Sequence, residues 1–114
     1  MKFNFKFTAS IVDDIEKTKG LPIENCVADN TINNLALFIQ KASVDENGAV
    51  GTSRAVALSK IDEYLVDNEK DSLLIDIMEA LVEAGFLSRA LDVSNMRKVI
   101  TKKASQMNEQ LSNM

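Results

Sequence analysis

Apolar residues in this chain recur at spacings of three and four, in separate blocks, and this periodicity restricts the fold more than any other feature. Ile32, Leu35, Ala36 and Ile39 fall at i, i+3, i+4 and i+7. Leu58, Ile61 and Leu65 repeat the spacing, and Leu73, Leu74, Ile77, Met78, Leu81 and Val82 broaden it. Val93, Met96, Ile100, Ala104, Met107 and Leu111 extend it near the C-terminus. An α-helix gathers residues so spaced onto one side, and that side must be buried against other elements. A first helix is expected where Ser10 and Asp13 stand at capping-box spacing, with Ile11, Val12 and Ile15 inward and Gly20 and Pro22 as its stop. Asp29 or Asn30 is placed to cap the helix of Ile32. The reading is mainly α: about five helices in one domain over residues 1–114, consistent with a length of 114 residues. Only a short stretch around Asp67-Asn68 separates the blocks of Leu58 and Leu73, so these helices form an αα-hairpin. Residues 43–53, with Gly48 and Gly51, read as a loop or mobile hinge within the domain. Asp92 caps a last helix over residues 92–112, which is able to detach from the rest.

The N-terminus departs from the helical period. Phe3, Phe5 and Phe7 alternate with Lys2, Asn4 and Lys6, the pattern of a short half-buried β-strand. A lone strand leaves its backbone groups unpaired, and the rest of the chain offers few strands to match it. A second copy is therefore an expected source of pairing, which makes Phe3, Phe5 and Phe7 candidates for self-association and the protein a homo-oligomer.

Composition removes much of the usual chemistry. The chain has no His and no Trp, and its only Cys is Cys26. A Ser-His-Asp triad, a Cys-His pair and a histidine metal site are thereby excluded. Cys26 reads as a small semi-buried apolar residue. No apolar run approaches the roughly 20 residues that span a bilayer. The alternating N-terminus is unlike a signal peptide, and one cysteine suits a reducing compartment, so a cytoplasmic protein without a membrane role is expected. Charge is uneven. Residues 45–88 hold three basic and ten acidic groups, a net of −7, whereas residues 89–114 hold five basic and two acidic groups, a net of +3. The acidic middle argues against nucleic acid as a partner. The basic end, with Arg89, Arg97, Lys98, Lys102 and Lys103, lacks an aromatic residue to stack on bases. It reads as a solvated helix face or as a segment docked on the acidic middle.

Three local patterns carry possible chemistry. Asp71-Ser72-Leu73 at a helix start resembles the triplet on which acyl and peptidyl carrier proteins hold phosphopantetheine, with Ile77, Met78, Leu81 and Phe86 continuing the likeness. Against it, no glycine precedes Asp71 and no long loop fits before it; Asp71 and Ser72 also suit any first helical turn. The carboxylates Asp13, Asp14 and Glu16, and the pair Asp62 and Glu63, read as solvated charge, because helical neighbours point apart. Asp45-Glu46-Asn47-Gly48 begins like a calcium loop, but no ligand pattern follows. No cofactor, metal or catalytic residue is expected. Val93, Met96, Arg97, Ile100 and Met107 are the candidate partner-binding residues, since adaptable methionines suit surfaces that accept varied helices.

The layout resembles the small tail assembly chaperones of long-tailed bacteriophages and prophages. The likeness covers residues 5–87: Phe5-Lys6-Phe7-Thr8; Ile11-Val12-Asp13-Asp14-Ile15-Glu16 up to Gly20; Asn33-Asn34-Leu35-Ala36-Leu37-Phe38-Ile39-Gln40-Lys41-Ala42; Ile61-Asp62-Glu63-Tyr64-Leu65; and Leu74-Ile75-Asp76-Ile77-Met78-Glu79-Ala80-Leu81, closing at Phe86-Leu87. It is a likeness of order, length and pattern. The resemblance implies a non-enzymatic protein that binds the long helical tape measure protein, keeps it soluble and helps bring tail tube protein to it. It also implies that a longer frameshifted form is common among such chains.

Overall fold

The computed structural model describes residues 2–88. The chain enters in extended conformation and turns into α1 (Ala9–Lys19) at Thr8, whose φ of −118° and ψ of 165° are still those of a strand. The Thr8 hydroxyl accepts the Ile11 N–H at 3.3 Å. Thr8 is therefore the cap, in place of Ser10: the last extended residue fixes where a helix begins, and Ser10 is already inside the first turn. Val12 and Ile15 are buried, and Gly20 at φ 70° ends the helix by bonding back to Glu16. Pro22 opens a helix that periodicity did not reveal, α2 (Ile23–Cys26), whose four residues are too few to carry a stripe. Its first N–H, on Ile23, donates to the Glu16 carboxylate at 2.8 Å.

α3 (Ile32–Ala42) is the centre of the domain. Thr31, not Asp29 or Asn30, is its cap, accepting the Asn34 N–H at 3.2 Å. Asp29 accepts the Thr31 N–H instead, setting the turn that leads into the helix. Leu35, Ala36, Phe38, Ile39 and Ala42 are fully buried, but Ile32 is 38 % exposed. At the first helical position its side chain lies over the preceding loop, beyond the reach of the core. α1, α4 (Arg54–Tyr64) and α5 (Lys70–Glu83) all pack on α3. In α4 the buried side is Ala57, Ile61 and Tyr64; Leu65, expected inward, follows the last turn and is 37 % exposed.

Only residues 65–69 separate α4 from α5, and the Tyr64 hydroxyl reaches back across them to Asp76 at 3.4 Å. Asp76 is accordingly half-buried, while Glu79 and Glu83 are exposed. Leu73, Ile77, Met78 and Leu81 are buried; Leu74 and Val82 are half-buried, and Ile75, outside the stripe, is buried too. Gly85 at φ 89° closes the helix, and the Phe86 N–H bonds the Leu81 carbonyl at 2.9 Å. No helix among the described residues is long and apolar enough to cross a membrane. The helix expected over residues 92–112, with Val93, Met96, Arg97, Ile100 and Met107, lies outside the described residues.

Residues 43–53 fold back on themselves. Val44 bridges Val50, and the Asp45 carboxylate accepts the N–H groups of Asn47 and Ala49 at 2.8 and 2.9 Å. The loop is fastened to α3 by the Thr52 N–H on the Gln40 carbonyl at 2.9 Å. Gly51, at φ 90°, leaves only 3.0 Å between a β-carbon and that same carbonyl oxygen, so glycine is required there.

Candidate partner-binding surface

The alternation at the N-terminus sorts its side chains as expected. Lys2, Asn4 and Lys6 are exposed, Phe3 and Phe7 are buried, and Phe5 is half-buried. The three rings form a row, with centroids 5.9 Å apart for Phe3 and Phe5 and 6.0 Å for Phe5 and Phe7. The row is anchored at both ends, on Tyr64 at 5.5 Å and edge-on against Phe38 at 6.1 Å. Its backbone pairs within the same chain. The Lys6 N–H donates to the Ala42 carbonyl at 2.8 Å, and the Val44 N–H donates to the Asn4 carbonyl at 2.9 Å, around a single antiparallel bridge between Phe5 and Ser43. For this edge the pairing comes from residues 42–44 of the same chain, not from the second copy that was an expected source. The partner escaped the sequence because it is two residues long and follows directly on α3.

Two clefts flank this segment. One, of about 180 Å³, lies between it and α5, with Phe3, Phe5 and Ala80 as apolar lining and Asp76, Glu79 and Glu83 as acidic rim. The other, of about 570 Å³, lies towards the loop and α4, with Asp45, Glu46 and Glu63 set against Lys2 and Lys60. Six of the ten acidic residues of 45–88 thus line clefts beside the N-terminal segment.

The other candidate groups are placed as follows. Asp13 pairs with Lys17 at 2.9 Å, and Asp14 with Lys41 at 2.7 Å, which ties α1 to α3. Among the described residues no group of acids, histidines or cysteines is arranged to hold a metal. Cys26 is fully buried, its thiol donating to the Leu21 carbonyl at 3.4 Å; burial pushes its pKa up, so it is held as an unreactive thiol. Ser72 sits half-buried in the first turn of α5, beside Asp71, which accepts a hydrogen bond from the Asn30 amide. The residue that periodicity missed altogether is Asn34. It is fully buried, and its amide donates to the carbonyls of Cys26 at 2.8 Å and Asp29 at 2.6 Å.

Asp29 supplies a test of the local electrostatics. The Lys19 ammonium at 2.9 Å holds its carboxyl below the usual value, followed by the hydrogen bonds from Thr31. A carboxyl with a depressed folded pKa stabilises the fold above its unfolded pKa of about 3.9, and that contribution is lost as pH falls through the folded value. Asp29→Asn is therefore expected to lower stability at neutral pH and to flatten the acid limb below about pH 4. Urea midpoints measured across that range test this, and parallel curves for the two proteins would rule it out.

No family model, curated protein or solved structure matches this chain.

Proposed function

We propose that this chain is a phage or prophage tail assembly chaperone. In this reading it binds and solubilises the helical tape measure protein and helps recruit tail tube protein. It acts in the bacterial cytoplasm as a homo-oligomer, with no cofactor and no catalytic step. The observation that supports it is the order of elements. An extended residue 5–8 segment, a helix stopped at Gly20, a central helix ending at Ala42, and two helices joined by a short turn and closing at Phe86-Leu87 are the parts on which the resemblance rests. The core adds to it. One buried cluster over residues 3–87 takes residues from all five helices, and in this reading the stripe of Val93, Met96, Ile100 and Met107 serves the partner. Arg97 beside that stripe gives it basic character.

The test is co-expression with an apolar helical fragment of a tape measure protein. The full chain is expected to keep the fragment soluble. Met96→Glu combined with Ile100→Glu in the full chain is expected to abolish that effect while the helical signal and cooperative melt persist. A fragment that stays insoluble beside the full chain defeats the proposal. So does a gain of one phosphopantetheine mass on incubation with coenzyme A and a broad transferase, if Ser72→Ala removes it.

A further inference from the structure

We infer that residues 3–7 present an open β edge to a second copy of this chain, and that two copies join by antiparallel pairing of these segments beside α5. The inference rests on the homo-oligomer of the proposed reading and names its interface, but it needs no client, so its failure leaves the binding of a tape measure protein to its own test. The Asn4 carbonyl and the Lys6 N–H are taken by Val44 and Ala42. In extended backbone, successive residues direct their polar groups to opposite edges, so those of Phe3, Phe5 and Phe7 face away from that pairing. None of them bonds to a described residue. Such an edge is a template for another strand.

The cleft beside this edge specifies the strand. It is lined by Lys2, Phe3, Asn4, Phe5 and Ala80 together with Asp76, Glu79 and Glu83, so a segment that alternates apolar and basic residues complements its acidic excess. Lys2-Phe3-Asn4-Phe5-Lys6-Phe7 of a second copy has that alternation. A two-fold axis through Phe5 sets Phe5 opposite its own copy and Phe3 opposite Phe7. It also sets Lys6 of each copy opposite Asn4 of the other, and Asn4 lines the same cleft as Glu83. The contact is the same on both sides, as a closed dimer requires.

Light scattering and sedimentation of the full chain over a concentration series test this, together with amide exchange read residue by residue. The expected result is a dimer in which the Phe5 amide gains protection as concentration rises, while the Lys6 amide, bonded to Ala42, is protected throughout. Lys6→Glu is expected to weaken association by at least about ten-fold at low salt, because like charges then meet across the contact. Adding Glu83→Lys is expected to restore much of it. A monomer at every concentration overturns the inference. So does a dimer that Lys6→Glu leaves unchanged. A Phe5 amide protected even at high dilution also overturns it, since the edge would then be covered from within the same chain.

Discussion

Replacing Phe38 with alanine is expected to destabilise the fold by about 3–5 kcal/mol, a large part of the roughly 5–15 kcal/mol available to a domain of this size. Phe38 is fully buried at the middle of α3, the helix on which α1, α4 and α5 all pack. Interiors are close-packed, so a space of this size collapses only in part and the lost contacts are not recovered. Phe7, whose ring meets Phe38 edge-on at 6.1 Å, loses its anchor, so the N-terminal segment should loosen along with the core. Phe38→Leu, which keeps more of the volume, is expected to lose less. Urea unfolding read by circular dichroism decides the matter. A shift equivalent to less than about 1 kcal/mol would show that the centre of the core lies elsewhere. A double-mutant cycle with Phe7→Leu is expected to give a coupling of about 0.5–1.5 kcal/mol, the usual worth of an aromatic pair beyond its burial.

Phe38 also marks how much the sequence disclosed. Spacing was enough to place α3, α4 and α5, because a stripe such as Leu73, Ile77 and Leu81 keeps one side of a helix buried over several turns. Periodicity loses its force at the ends of helices. Ile32 and Leu65 continue their stripes in number, yet each lies at or past a helix terminus and is more than a third exposed. Caps moved for a related reason. Thr8 and Thr31 are each the last residue with extended backbone, a property of the chain's path that residue type alone does not reveal. The pairing of the N-terminal segment was invisible because Ser43-Val44 has no alternation of its own and is brought into register by the end of α3. The candidate surface was half legible: counting showed the acidic excess of residues 45–88, but only the fold sets Asp76, Glu79 and Glu83 along one side of the aromatic row and Asp45, Glu46 and Glu63 along the other.

Asn34 was illegible because a buried polar residue interrupts the pattern that periodicity seeks, and its replacement is the second large effect expected. Its amide satisfies the Cys26 and Asp29 carbonyls, so one side chain on α3 fixes both the end of α2 and the turn into α3. Its own Oδ1 is buried with no hydrogen-bond partner. Asn34→Leu removes that unpaired oxygen, a gain, but it takes the donor from the Asp29 carbonyl and leaves the Cys26 carbonyl only the Asp29 N–H at 3.4 Å, at about 1–3 kcal/mol for a group left buried and unpaired. A net loss of about 1–3 kcal/mol, the same at every pH, is expected. Asn34→Asp should behave differently. An ionised carboxylate would face two carbonyl oxygens with no donor between them, and an uncompensated buried charge costs about 3–5 kcal/mol. Burial and these dipoles raise the folded pKa of the new acid above its unfolded value of about 3.9. The folded state then prefers the protonated acid, which can donate to one carbonyl. The gap between wild type and Asn34→Asp is therefore expected to be smallest below about pH 4 and to widen as pH rises towards the folded pKa, opposite in sense to the contribution of Asp29. Urea midpoints of the three proteins at matched pH values read this directly. A gap that stays constant with pH would mean that the acid at this position reaches water, and that Asn34 is not the sealed bridge between α2 and α3 that its hydrogen bonds describe.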